Sequence, residues 1–442
     1  MANSHNFNEN TRVQVPAALH LVRLGYSYLS SIKDADYDPN SNILYKPLRM
    51  ALRRLNPEAP ESRVGEAVDE LLRTISNDDL GQEFYQKITA ISGTRFIDFD
   101  HPENNEWHVT TEFTCENKRT GDQFRPDITI FLNGLPLVFI EVKKPFNIEG
   151  IMAERNRIDM RMRNKAFRGF FNVTQFMIFS NNEEYNTDSL VPISGAFYAA
   201  PSRQQAFFNV FREEDKELLK NCRYSPNFSE AVEHDVLMHR NCPQLRALPE
   251  YHTNLDPQTP TNRIITSMLS RERLLFLLRY GIAYVNVTHK NERGEQVTHL
   301  QKHIMRYQQL FATYAIRRTL DKGLSGGIIW HTQGSGKTAL AYYNVRSITD
   351  FFAIRHTPVK FYFIVDRLDL LEQAAAEFGM RGLVVRTAQS REDLMADFSD
   401  NTVRKNAEGK PEIMVVNIQK FATDHTRITK KELYSTQLRR IF

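Results

Sequence analysis

Apolar and polar positions change rhythm several times along the chain, and each change marks an element. Over residues 13–33 (VQVPAALHLVRLGYSYLSSIK) apolar side chains recur every three to four positions, which predicts an amphipathic helix. The same period over 45–92 predicts further helices, with Ser76, Asn77, Asp78 and Asp79 as capping candidates. Between 106 and 143 the rhythm shortens to the alternating or continuous apolar runs of strands: WHVTTEFTC, DITIFL and LPLVFIEV. Asn133 and Gly134 separate the last two runs and predict a tight hairpin. VTQFMIFS (173–180) predicts one more buried strand.

A looser, Pro- and Asn-containing stretch follows, and TNLDPQTPTN (253–262) reads as a linker. After the helix-like LSRERLLFLLRYGIAY, the apolar runs in GGIIWHTQGSGKT, VKFYFIVD and EIMVVNI alternate with helical stretches, the signature of a parallel sheet. The expected class is α/β: a first α/β domain over 1–225, a connector over 226–262, and a second, parallel-sheet domain over 263–442.

Composition narrows the class of function. A chain of 442 residues with 41% hydrophobic and 25% charged residues has enough apolar material for folded domains. Lys+Arg 57 against Asp+Glu 53 leaves only +4, so any contact with nucleic acid depends on local basic faces. Cys115, Cys222 and Cys242 have neither zinc-knuckle spacing nor an even count, which argues for a reducing, cytoplasmic home. Met1–Arg12 lacks the apolar core of a signal peptide, and no run approaches the roughly eighteen apolar residues of a membrane span.

Two constellations carry chemistry. In RPDITIFLNGLPLVFIEVKKP the hairpin returns Glu141 and Lys143 to the end of the sheet where Asp127 opens the first strand. Alternation along the strand puts Glu141 and Lys143 on one face, with Val142 on the other. Two carboxylates beside an ammonium suit metal-assisted phosphodiester cleavage. Hard oxygens hold Mg²⁺, the metal lowers the pKa of a bound water, and the lysine neutralises developing charge. A solvated Glu–Lys pair at a strand end is the plain alternative. It fits poorly with a strand that is otherwise continuously apolar.

In IIWHTQGSGKTAL (328–340) an apolar run, a glycine-rich turn and a helix start follow one another. Gly334, Ser335 and Gly336 form a turn whose backbone N–H groups can surround nucleotide phosphates. Lys337 is placed to reach the phosphates and Thr338 to reach Mg²⁺. His331 stands where the full phosphate-loop pattern has its first glycine.

The first constellation resembles the PD-(D/E)xK nuclease core, carried by Pro126, Asp127, Glu141, Val142 and Lys143. That likeness implies that Asp127 and Glu141 hold the metal and Lys143 is catalytic; it also makes Glu9, ahead of the first helix, a candidate extra carboxylate. Arg306 and Gln309 resemble the adenine-reading element of superfamily 2 helicases, implying ATP. Arg367 after one strand, and Gln419 and Lys420 after another, resemble the DNA-contacting motifs of those motors. Together the blocks resemble, in order, the motor and restriction subunit of type I restriction-modification enzymes. The resemblance implies double-stranded DNA as substrate, and methyltransferase and specificity subunits as partners that bring S-adenosylmethionine.

The sequence departs from that family in two ways. No Q-x-x-x-Y element follows Lys143; AERNRIDMRMRNKAF stands there, with Arg155, Arg157, Arg161 and Arg163. No Asp-Glu strand and no second motor lobe are present before QLRRIF, so ATP hydrolysis by these 442 residues alone is expected to be negligible. A nucleotide-sensing DNA-binding module without nuclease activity, and a standalone helicase-nuclease, are the alternatives.

Overall fold

A computed structural model describes residues 8–118, 120–145, 150–185, 195–203, 206–215, 228–290, 293–400 and 412–421. Cys222 and the terminal QLRRIF lie outside the described residues. The chain divides into two compact units. One takes Met1–Ile282 together with Gln301–Ile304, and the other takes Ala283–Leu300 and Met305–Phe442. The architecture is mixed α/β, and each unit contains a sheet with parallel strands. No described helix is long and apolar enough to cross a membrane.

The first unit opens with a π-helical turn at Asn10–Gln14 and continues as α1 (Val15–Arg23). The helix expected over 13–33 therefore stops early. Gly25 takes the left-handed conformation (φ +94°), and the apolar Tyr26 and Tyr28 that prolonged the helical pattern flank or enter strand β1 (Ser27–Tyr28). Helices α2 (Tyr45–Leu55), α3 (Glu61–Thr74) and α4 (Gln82–Ile88) fill the next stretch as expected. Asp79 accepts from the backbone N–H of Gly81 and Glu83 at the start of α4.

Strands β2 (Trp107–Thr111), β3 (Ile128–Leu132) and β4 (Leu135–Val142) lie side by side and antiparallel. Asn133 (φ +52°) and Gly134 (φ +78°) make the expected tight turn between the last two. A Cβ at Gly134 would lie 2.6 Å from the Leu44 carbonyl oxygen, so this position requires glycine on packing as well as on φ. Helices α5 (Gly150–Arg163) and α6 (Arg168–Val173) form the crossover to β5 (Phe176–Ser180), which runs parallel to β4. Strands β6 (Ala196–Ala199) and β7 (Asn209–Val210) complete the described seven-stranded sheet, whose order follows the sequence. Phe139 on β4 packs with Phe124, Ile158, Phe167, Phe170 and Phe171, the apolar cluster that seats α5 and α6 on the sheet.

The stretch expected as a connector is folded. It contains α7 (Glu230–His239), α8 (Pro249–Asn254) and the start of α9 (Pro260–Leu269). Val236, Leu237, Leu245, Tyr251 and Leu255 bury against Val15 and Leu19 of α1. Pro249 and Pro260 occupy first-turn helix positions, where a missing N–H costs nothing, Pro257 lies in the turn between the two helices, and Thr259 caps α9. Helix α10 (Arg271–Tyr280) and the paired strands β8 (Ile282–Lys290) and β9 (Gln296–Ile304) follow. At the end of β9, Lys302 is buried, and its Nζ donates to the Thr174 carbonyl at 2.8 Å.

In the second unit α11 (Tyr307–Asp321) and α12 (Lys337–Ala353) precede a three-stranded parallel sheet. Its strands are β10 (Tyr362–Val365), β11 (Val384–Thr387) and β12 (Glu412–Asn417), with β12 between the other two. Helix α13 (Leu368–Met380) packs Ala374 and Phe378 on Ile413 and Val415, and α14 (Arg391–Ser399) packs Leu394 on Met414 and Val416. One expected strand is not formed. Residues 328–332 pair with none of the described strands, and Ile328 and Trp330 are each 92% exposed. An apolar run becomes a strand only when a neighbour supplies its hydrogen bonds.

Candidate functional site

The β3–β4 hairpin puts the first constellation at one end of the sheet. Ile128 pairs with Ile140, so Asp127 falls beside Glu141 and Val142. The Val142 N–H donates to Asp127 Oδ2 at 2.8 Å, which fixes that carboxylate against the neighbouring strand. Glu141 and Lys143 share the β4 face of Phe139, as alternation requires. The Lys143 Nζ lies 3.2 Å from Glu9 Oε1, 3.6 Å from Glu154 Oε2 and 3.9 Å from Asp127 Oδ2. Its own carbonyl neighbour, Val142 O, accepts from it at 2.8 Å.

Three carboxylates therefore lie within 4 Å of one ammonium, with Glu141 on the same strand face, and burial sets their electrostatics. Glu141 is 4% exposed, and burial, reinforced by Asp127 and Glu154, pushes its carboxyl well above the ordinary 4.5. Burial also raises Asp127, with Lys143 opposing, and raises Glu9 in the same way. For Lys143 burial works against the charge, but Asp127, Glu9, Glu154 and Glu141 outweigh it and hold the ammonium above its usual value. Glu141 Oε1 is buried without a hydrogen-bond partner among the described residues.

That orphan oxygen, next to a second carboxylate it repels, is the kind of vacancy in hydrogen bonding that a hard cation fills. No group of three or more Asp, Glu, His or Cys at metal-holding geometry is present among the described residues. Mg²⁺ does not need one, because it is commonly held by one or two carboxylates, waters and substrate phosphate. Asp127 and Glu141 fit that donor set.

Glu154 on α5 was not singled out by the sequence pattern. Its side chain is 2% exposed and also pairs with Arg157 at 3.2 Å and Arg161 at 3.4 Å. Two of the four arginines read from the sequence are thus engaged by one buried carboxylate. Arg161 also lies over the Phe124 ring, 4.5 Å from its centroid. The only sequence signal for Glu154 was its place among those arginines.

The second constellation forms a compact loop around α12. Gly334 (φ +77°) and Gly336 (φ +81°) are left-handed, and Gly336 leads directly into the helix at Lys337. Gln309 on α11 uses both ends of its amide. Its Oε1 accepts from the Arg306 N–H at 2.8 Å, and its Nε2 donates to the Gly336 carbonyl at 3.0 Å. Arg306 Nη1 donates to the Gly334 carbonyl at 3.1 Å. Residues some thirty positions apart in the sequence are thereby brought onto one loop. Ser335 is buried, with its hydroxyl donating to Thr332 O at 2.9 Å. The Lys337 Nζ donates to the carbonyls of His331 and Thr332, and Thr338 sits half-buried behind it.

Strands β10 and β12 run parallel and in register, Val365 beside Asn417, so Arg367, Gln419 and Lys420 follow the same, C-terminal end of that sheet. Arg367 pairs with Asp369, and the Lys420 Nζ donates to the Gln389 carbonyl at 2.7 Å. The Gln419 N–H donates to Asn417 Oδ1 at 2.8 Å.

Residues 6–188 match the family model described as the type I restriction enzyme R protein N terminus, and residues 308–441 match that of the SWI2/SNF2 ATPase. The "Putative type I restriction enzyme MjaVIIP endonuclease subunit" of Methanocaldococcus jannaschii is 28% identical over 64% of this chain and 22% of its own length. The type I restriction enzyme HindI endonuclease subunit of Haemophilus influenzae is 24% identical over 94% of this chain and 36% of its own length. A Staphylococcus saprophyticus subunit, SsaAORF53P, is 25% identical over 64% of this chain and 23% of its length. The chain thus spans well under half the length of these relatives. Two family models, each matching part of the chain, and relatives that bear one family name support its likeness to the endonuclease (R) subunits of type I restriction enzymes.

Proposed function

We propose that the chain carries the Mg²⁺-dependent nuclease centre and part of the ATP-driven motor of a type I restriction enzyme, acting on double-stranded DNA. The first unit is then a PD-(D/E)xK nuclease-like domain and the second belongs to a RecA-like motor lobe. The observation that carries this reading is the buried Asp127–Glu141 pair, with an unpartnered Glu141 oxygen and Lys143 alongside. Asp127 and Glu141 would hold the metal. When bound, it would supply a lowered pKa for its water and charge stabilisation at phosphorus. Lys143, kept protonated by its carboxylate neighbours, orients attack and neutralises the oxygen that gains charge. Asp127 is itself oriented by the Val142 N–H, so its position does not depend on the metal.

The motor reading rests on the loop around Gly334, Ser335 and Gly336, with Lys337 and Thr338 as phosphate and Mg²⁺ contacts. Arg306 and Gln309 brace that loop, which links the adenine-reading element to the phosphate site. Arg367, Gln419 and Lys420, at one end of the sheet, are the DNA contacts of this reading. Sequence recognition and S-adenosylmethionine belong to the methyltransferase and specificity partners, and the assembly works in the cytoplasm.

Isothermal calorimetry of this chain with Mg²⁺ or Mn²⁺ tests the nuclease centre. One site is expected in the wild type and loss of that site in Asp127→Ala. Metal binding indifferent to Asp127→Ala would return the hairpin to a structural role. The nucleotide loop has its own test. Gly336→Ala forces a residue with a Cβ into φ +81°, with that Cβ 2.5 Å from Gln309 Nε2. Strain of about 1–3 kcal/mol at such positions predicts ATP affinity lower by roughly 5- to 150-fold, read by titration with a fluorescent ATP analogue.

A further inference from the structure

The π-helical turn that carries Glu9 toward Lys143 is held by a residue more than two hundred positions away. Arg240, at the C-terminal end of α7, donates through Nε to Asn10 Oδ1 at 2.9 Å and through Nη2 to Gln14 Oε1 at 3.1 Å. The same guanidinium pairs with Glu112, and the Arg240 carbonyl accepts from Asn10 Nδ2 at 3.4 Å. Its side chain is only 11% exposed.

Two of the three residues that Arg240 grips lead to Asp127. Gln14 Nε2 donates to the Asp127 carbonyl at 2.7 Å, and the Glu112 N–H donates to the same oxygen at 3.0 Å. Glu112 takes a left-handed backbone (φ +52°), unusual for a residue with a Cβ, and its carboxylate is held by Arg125 as well as Arg240. Isolated π-turns and left-handed non-glycine residues persist where surrounding contacts over-determine them. Here one guanidinium, with donors in a rigid fork, touches both.

We infer that Arg240 is a positioning residue of the carboxylate–lysine centre. Through Asn10 and Gln14 it fixes the turn that presents Glu9, and through Gln14 and Glu112 it fixes the backbone of Asp127. The inference rests on the metal-site reading of Asp127 and Glu141. It extends that centre into the 226–262 stretch, beyond the 6–188 region matched by the R-subunit family model.

The test is Mn²⁺ calorimetry on this chain across pH 5.5–8, comparing wild type, Arg240→Ala, Arg240→Lys, Gln14→Leu and Asp127→Ala. Loss of an outer partner of a metal ligand typically lowers affinity about 10–100-fold, so Arg240→Ala and Gln14→Leu are expected to weaken Mn²⁺ binding at least tenfold. Arg240→Lys should fall between, because an ammonium cannot reproduce the fork. A role confined to pinning α7 would lower the melting temperature and leave Mn²⁺ affinity and its pH profile unchanged. Wild-type affinity in folded Arg240→Ala, alongside loss in Asp127→Ala, overturns the inference and spares the metal site. If Arg240→Ala does not fold, unchanged affinity in Gln14→Leu overturns it instead. Wild-type binding that survives Asp127→Ala overturns the metal-site reading itself.

Discussion

Lys143→Ala, introduced into the full-length restriction complex, is expected to lower DNA cleavage by about 10³-fold while ATP hydrolysis stays at its wild-type rate. The size follows from removing a charge placed where negative charge develops, in a site that excludes water. Lys143 is 12% exposed at its side chain and faces Glu9, Asp127 and Glu154 within 4 Å, so solvent cannot replace it. The selectivity follows from location: Lys143 belongs to the first compact unit and the glycine loop to the second. Gel assays of plasmid cutting and a coupled ATPase assay read the two activities separately. Cutting that persists near the wild-type rate would remove Lys143 from the chemistry. ATP hydrolysis lost together with cutting would show a folding defect instead.

Glu141→Gln is expected to have the opposite effect on stability from its effect on activity. Cleavage should be lost, yet without divalent metal the variant should be more stable than wild type at pH 8, by about 1–3 kcal/mol. The sign comes from the direction of the shift. A carboxyl whose folded pKa is raised contributes its stability fully below the ordinary value of 4.5. It loses that contribution as pH climbs through the raised folded value. Asp127 and Glu9 are raised as well and add to the same trend. Lys143 is also raised, but its contribution is lost only above 10.5, outside this window. Wild type in EDTA should therefore melt lower at pH 8 than at pH 5, with Mg²⁺ restoring the difference. Glu141→Gln should flatten both the pH and the Mg²⁺ dependence. Thermal melts at the two pH values, with and without Mg²⁺, decide it; a variant as metal-responsive as wild type would refute the assignment of Glu141.

The hairpin was legible because its information is local. Asn133 and Gly134 specify the turn, the flanking runs specify two buried strands, and the register then brings Asp127, Glu141 and Lys143 to one end. The glycine loop was legible for the same reason. Elements whose cues point two ways were misread. Tyr26 and Tyr28 continue a helical spacing that Gly25 has already ended. Pro249 and Pro260 look like linker residues and prove to be helix starts. The run at 328–332 is apolar enough for a strand but has no described neighbour to pair with. Glu154 and Arg240 were not legible as site residues at all. Glu154 acquires its place only when the crossover helix α5 packs back on the sheet, and no spacing rule relates Arg240 to Gln14 across 226 residues.

The return of the chain after the β8–β9 pair bears on how such proteins can be divided and recombined. Gln301–Ile304 belongs to the first compact unit although Ala283–Leu300 belongs to the second, so the polypeptide passes between the units three times. A fragment ended at Ile282 would discard Lys302 and leave the Thr174 carbonyl, just ahead of β5, without its ammonium partner. Exchange of the first unit between related proteins is therefore not a matter of one crossover point. A transplant that keeps the first unit whole must carry the strand pair with it and join after residue 304, so that the graft inherits a piece of its neighbour's covalent thread.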